Sequence, residues 1–180
     1  MSEILLGVSG SAACFKAAAL ASGLAQRGHS VTAVLSRAAC KLVTPLQFAC
    51  LTGNKALHDE WQPEDPAGMD HIQLARKADL FLLAPATADR IGILANGLAP
   101  DLLGSVALAV EQSKPRVFVP AMNPDMWQHP AVQRNVAQLD ADGWLQVGPT
   151  SGRTACEETG LGRMAEIAIV LAEIDELTGK

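Results

Sequence analysis

Four short, nearly unbroken apolar runs restrict the fold more than any other feature. Residues 3–9 (EILLGVS), 30–35 (SVTAVL), 80–84 (LFLLA) and 117–120 (VFVP) are too brief for helices and lack the polar alternation of a half-solvated sheet. Strands of this kind are buried on both faces, which requires a parallel sheet covered by helices. Helical stretches fall between them, over about 11–27 (ending at Gly28), 44–52, 70–78, 88–95, 101–112, 130–141 and 165–177. Pro45 is tolerated in the first turn of the second of these. Residues 58–69 read as a surface connection, 144–147 as a further strand and 148–164 as a long Gly-rich loop. The expected fold is α/β, a Rossmann/flavodoxin-like parallel sheet with helices on both faces, in a single domain over residues 1–180.

Composition removes several classes of function. Hydrophobic residues make up 49% and charged residues 18%, too apolar a balance for a disordered chain. A net charge of −5 argues against nucleic acid or an anionic membrane as partner. The cysteines Cys14, Cys40, Cys50 and Cys156 have no CxxC spacing, and the histidines at 29, 58, 71 and 129 are scattered, so no metal site is expected. Three of the cysteines lie in Ala/Leu-rich surroundings that suit a small buried hydrophobe. The N-terminus lacks a basic signal-peptide region and no apolar run reaches spanning length, so a reducing cytoplasm is expected.

Ligands of such sheets sit beyond the carboxyl ends of the strands. There the chain carries GVSGSAA (7–13), LSRAA (35–39), APATADR (84–90) and PAMNPDMW (120–127). The first is neither a Walker loop nor GxGxxG, but its small residues let backbone N–H groups and the Ser9 and Ser11 hydroxyls approach an anion at a helix start. The second strand ends in Leu35-Ser36-Arg37 rather than the acid that grips a ribose diol. A hydroxyl and a cation suit a further phosphate contact, which favours a mononucleotide such as FMN over NAD; the alternative is that Ser36 merely caps the next helix. Pro85 is expected to stop its strand, and Thr87 to cap a helix or donate to a ligand. The apolar ILANGLAPDLL (93–103) reads as core or as a subunit contact. The segment PAMNPDMWQHP spends two methionines and a tryptophan on what looks like an irregular loop, with Asn123 as its polar tool.

Two residues are candidates for proton chemistry. His71, in MDHIQLARKAD, reads on spacing alone as a surface or capping histidine rather than as a base. Cys156, in SGRTACEETGLGRM, sits among polar residues and glycines that suggest a mobile flap. Glu157 and Glu158 oppose its ionisation, which suits a proton donor better than a nucleophile.

Together GVSGSAACFKA, DHIQLARKADLFLLAPATADRIGILANGLAPDLL, PAMNPDMW and ACEETGLGRMAE resemble the flavin-dependent cysteine decarboxylases. The resemblance runs in order over about residues 4–167. PAMNxxMW followed by ACxxxGxGRM carries most of its specificity. It implies FMN as cofactor, a homotrimer or homododecamer with flavin near subunit interfaces, and 4′-phosphopantothenoylcysteine as substrate. The implied reaction oxidises the substrate's terminal cysteine to a thioaldehyde, loses carbon dioxide, and returns the electrons to an enethiol, giving 4′-phosphopantetheine of coenzyme A biosynthesis. It also implies roles. His71 matches the base, Asn123 the carboxylate- and amide-binding residue, and Cys156 the acid. Gly10, Ser11, Ala12, Ser36, Thr87 and Ala121 match cofactor contacts, and Ala88, Asp89 and Arg90 continue that stretch. Arg153, Thr154 and Ala155 match a clamp over the substrate, with Met126 (beside Met122 and Trp127) on its apolar wall.

One departure concerns charge. Asp89-Arg90 stands where the family commonly has Asn-Thr, and an acid beside a flavin disfavours an anionic reduced ring unless Arg90 neutralises it. Two other readings remain: a peptidyl-cysteine decarboxylase of a peptide natural-product pathway, and a non-catalytic FMN-binding regulatory protein. The His–Asn–Cys set speaks against the second.

Overall fold

The computed structural model describes residues 1–63, 67–153 and 159–179. Strand β1 (Glu3–Val8) leads to α1 (Cys14–Gln26), β2 (Ser30–Leu35), α2 (Pro45–Thr52) and α3 (Asp70–Lys77). The chain continues through β3 (Leu80–Ala86), α4 (Ala88–Ala95), α5 (Leu102–Ala109) and β4 (Arg116–Pro120). Next come α6 (Pro124–Gln128), α7 (Pro130–Ala141) and β5 (Leu145–Gln146). A hairpin of β6 (Thr150–Arg153) and β7 (Thr159–Arg163) precedes α8 (Ile167–Leu177).

The five main strands form one parallel sheet in the order β2-β1-β3-β4-β5, the flavodoxin-like order. Because successive side chains point to opposite faces, each apolar strand supplies two cores. Ile4, Leu6, Val8, Leu82 and Val117 face α1 and α8, where Leu20, Leu24, Val170 and Ile174 cover them. Leu5, Phe81, Leu83 and Phe118 face the other way, toward Ile91 of α4, Leu103 and Val106 of α5, and Leu139 of α7. On that side Trp144 meets Phe81 edge-on at 5.7 Å and lies under the Arg116 guanidinium at 5.5 Å.

The structure alters four expectations. The strand does not stop at Pro85 but runs to Ala86, with a register shift against β4 between Leu83 and Ala86. The apparent loop after β4 contains α6. Within the apparent loop 148–164 lies an antiparallel hairpin. Of the three cysteines expected in the core, Cys14 is buried, Cys40 is half-buried and Cys50 is exposed.

Candidate functional site

Strands β1 and β3 lie side by side, and their following helices, α1 and α4, pack on opposite faces of the sheet. The divergence opens a crevice at the strands' carboxyl ends. A cavity of about 560 Å3 occupies it, a volume within the range of small-molecule and cofactor sites.

The cavity floor is backbone. No described residue accepts a hydrogen bond from the N–H of Gly10, Ser11, Ala12, Arg37 or Ala38. Four of these five residues, all but the exposed Ala12, line the cavity. Donors left open at a helix start form an anion site. Gly10 makes their convergence possible: a Cβ there would lie 2.5 Å from Ala38 Cβ and 2.9 Å from the Ala38 carbonyl carbon. The serines divide their work. The Ser9 hydroxyl, expected to face an anion, instead donates to the Pro85 carbonyl at 2.7 Å and accepts from Thr87 N–H at 3.0 Å. It ties the ends of β1 and β3 together. Ser11 Oγ accepts from Ala13 N–H at 3.2 Å, and Ser36 Oγ accepts from Ala39 N–H at 3.1 Å, at the start of a short 3-10 turn, while Ser36 also lines the cavity.

The opposite wall begins at Thr87, whose Oγ1 caps α4 by accepting from Arg90 N–H at 3.3 Å. Arg90 does not neutralise Asp89. Its guanidinium grips Asp101 through two bonds of 2.8 and 2.7 Å, with side-chain exposures of 5% and 17%. Asp101 also caps α5 by accepting from Gly104 N–H at 2.9 Å. Burial pushes the Asp101 carboxyl up, but the bonds from Arg90 and Gly104, with the charges of Arg90 and Arg37, outweigh it and hold the group below the usual carboxylate range. Asp89 has no ion-pair partner among the described residues, and both Asp89 and Arg37 are exposed on the cavity lining.

The third side comes from the turn after β4. Ala121, Met122 and Met126 line the cavity, whereas Trp127 is buried beneath. Asn123 caps α6: its Oδ1 accepts from Asp125 N–H at 2.8 Å and Met126 N–H at 3.3 Å. Strand β7 lies directly on this turn. Met122 N–H donates to the Gly162 carbonyl at 2.9 Å. A Cβ on Gly162 would stand 2.5 Å from the Met122 carbonyl oxygen, and one on Gly160 would stand 2.8 Å from the Pro124 ring. Glycine at both positions is what lets the hairpin approach the cavity wall.

The Flavoprotein family model matches residues 1–179. The chain belongs to the flavoprotein family. A probable phosphopantothenoylcysteine decarboxylase of Streptococcus mutans is 39% identical to this flavoprotein over 174 residues, 97% of each chain. The coenzyme A biosynthesis bifunctional protein CoaBC of Bacillus subtilis is 42% identical over 164 residues; these cover 91% of the flavoprotein but 40% of that longer relative. Among solved structures, a cysteine-to-serine mutant of PPC decarboxylase complexed with pantothenoylaminoethenethiol superimposes with a TM-score of 0.88 at 29% identity, covering 99% of both chains. The FMN-dependent cysteine decarboxylase SpaF gives 0.83 at 28% identity, covering 99% and 98%.

Of the residues singled out in the flavoprotein's sequence, the cavity gathers Gly10, Ser11, Ser36, Thr87, Ala88, Asp89, Arg90, Ala121 and Met126. Ala12 and Asn123 stand next to lining residues without lining the cavity themselves, and His71, half-buried on α3, is not part of its wall. Thr154, Ala155 and Cys156 lie outside the described residues, as does the side chain of Arg153. Three lining residues had no assigned role at this site: Ile93, Pro100 and Asp101. Only Asp101 carried a usable signal, a capping residue ahead of an apolar helix.

Proposed function

We propose that this flavoprotein is an FMN-dependent decarboxylase that converts 4′-phosphopantothenoylcysteine to 4′-phosphopantetheine in coenzyme A biosynthesis. The observation that carries the reading is the double turn of open N–H donors at Gly10–Ala12 and Arg37–Ala38, placed at the β1/β3 switch point beside a methionine-lined wall. The residues fit FMN. A phosphate matches the donor cluster, strand β2 ends without an acid for an adenosine ribose, and Met122, Met126 and Ile93 offer apolar surface to a flat ring. The relative from Streptococcus mutans, matched over 97% of each chain, supports the substrate assignment.

When bound, FMN supplies a reversible electron sink, which eases loss of carbon dioxide from the substrate's cysteine without net redox change. The chain provides the rest. The helix caps at Asn123 and Thr87 fix the two walls. Asn123 Oδ1 is held by two backbone N–H groups, which fixes the side chain, and the reading assigns this residue to the substrate carboxylate. His71 takes the proton that must leave as the substrate cysteine is oxidised. Cys156 returns one to carbon late in the cycle, and Arg153, Thr154 and Ala155 close over the substrate. We read residues 1–180 as a single domain for this work.

His71 does not line the cavity, and the reading has another copy of the chain supply it to the complete site. The proposed assembly is a homotrimer or homododecamer, with Leu98 (56% exposed on the turn after α4) available to a neighbour. Its proposed setting is the cytoplasm; no helix among the described residues is long and apolar enough to cross a membrane. Mass spectrometry of the cofactor released from purified protein is expected to show FMN, and light scattering a multiple of three chains. An adenine-containing ligand at full occupancy, or a stable monomer that keeps FMN tightly, contradicts this reading.

A further inference from the structure

Lys16 occupies an unfavourable place for a cation. It stands in the first turn of α1, at the positive end of the helix dipole, just after the open donors of Gly10–Ala12. It is also 8% exposed, and long charged side chains are seldom so buried unless paired. Yet the ammonium is not spent on the cavity, whose wall excludes Lys16. Nζ donates instead to the Met164 carbonyl at 3.2 Å and to Glu166 Oε2 at 3.2 Å. Glu166 is gripped from the other side by Arg163, the last residue of β7. These Lys16 bonds, ahead of the Arg163 charge, hold the Glu166 carboxyl below its ordinary range.

We infer that Lys16 is a positioning residue that fastens the root of the β6–β7 hairpin to the anion-binding turn. The inference rests on the reading of that turn as the flavin phosphate site and of the hairpin as the substrate clamp. Among the described residues, two polar or backbone attachments then hold the hairpin. One is the backbone contact of Gly160 and Gly162 with the Met122–Pro124 turn, and the other is Lys16 on Met164 and Glu166. The second links the clamp to the turn that meets the phosphate, so an anion that orders the turn also stiffens the clamp. Burial of Met164 and Ala165 is the competing anchor, and it would hold the root without help from Lys16.

Hydrogen–deuterium exchange of peptides spanning residues 148–166, in the full chain with and without added FMN, separates the two. Without FMN, Lys16→Met is expected to speed hairpin exchange about tenfold, the effect of losing charge-assisted hydrogen bonds from a local opening equilibrium. With saturating FMN, the native protein slows hairpin exchange, and Lys16→Met retains FMN binding but loses most of that slowing. Its kcat for substrate falls about tenfold with little change in flavin affinity, and Lys16→Arg recovers part of it. Glu166→Gln, at an exposed side chain that leaves the core intact, gives the same changes in weaker form and carries the test if Lys16→Met does not fold. Hairpin exchange in Lys16→Met or Glu166→Gln equal to native, with and without FMN, overturns the inference. A native protein that binds no FMN instead overturns the cofactor reading, and the FMN-free comparison still decides the role of Lys16.

Discussion

Turnover by Cys156→Ser protein is expected to stop after carbon dioxide is released. The late protonation loses its acid, so the flavin bleaches to the reduced form and an enethiol accumulates instead of 4′-phosphopantetheine. His71→Asn is expected to fail at the opposite end, with the flavin still oxidised and carbon dioxide release slowed about 10²- to 10⁴-fold, the usual contribution of a positioned general base. Asn123→Asp also fails early, because a new carboxylate repels the substrate's own and misplaces the thiol. That change leaves the α6 cap in place, since Asp serves as well as Asn there, so its effect reads on substrate rather than on folding. Stopped-flow absorbance of the flavin, with carbon dioxide followed in parallel, separates the three outcomes. Normal production of 4′-phosphopantetheine by Cys156→Ser removes the acid assignment.

Asp101→Ala is expected to destabilise the fold by about 3–5 kcal/mol, because it strands a buried guanidinium. Arg90 Nε already lacks a partner among the described residues, so the loss of both Asp101 oxygens leaves the group without compensation. The same substitution removes the α5 cap, adding about 1 kcal/mol. Arg90→Met with Asp101→Ser removes the charge pair but keeps a capping hydroxyl, and should regain most of the loss, since replacing a whole buried pair is often neutral. The pair also sets a pH dependence. Asp101 has a lowered carboxyl in the folded state, so its stabilisation is fully present above the unfolded carboxylate value near 3.9. It is lost as pH falls through the lower folded value. Urea unfolding at neutral pH and again below about pH 4 checks both claims; the gap between native and Asp101→Ala proteins should narrow in acid. A neutral-pH difference within about 0.5 kcal/mol means that the pair is ornamental to stability.

The strands and most helices were readable because their signals are local. Strand β2 and helix α7 fall at the expected residues, 30–35 and 130–141. Apolar runs and a Pro at the first helical position are short-range cues. PAMNPDMWQHP holds cues of the same kind, the first of them masked by its apolar side chains. Asn123-Pro124 and His129-Pro130 are each a cap followed by a first-turn proline, and they start α6 and α7. The hairpin had no such cue: Thr150–Arg153 and Thr159–Arg163 hold five glycine and arginine positions between them that favour no strand, and their antiparallel pairing makes them one. Partner choice was likewise beyond the sequence. Arg90 sits beside Asp89 in the chain but bonds Asp101, because successive helix residues point apart while α4 and α5 bring their first turns together. Ser9 shows the same limit, since a hydroxyl that could have met a ligand is taken up by two groups more than seventy residues away in sequence.

The proposed activity is tested most directly by incubating the purified, FMN-loaded protein with synthetic 4′-phosphopantothenoylcysteine and measuring both products. The account expects one carbon dioxide and one 4′-phosphopantetheine per substrate consumed, with no external oxidant or reductant and with the flavin oxidised again at the end. FMN-loaded oligomer that leaves this substrate intact, or that decarboxylates a peptide ending in cysteine in its place, contradicts it.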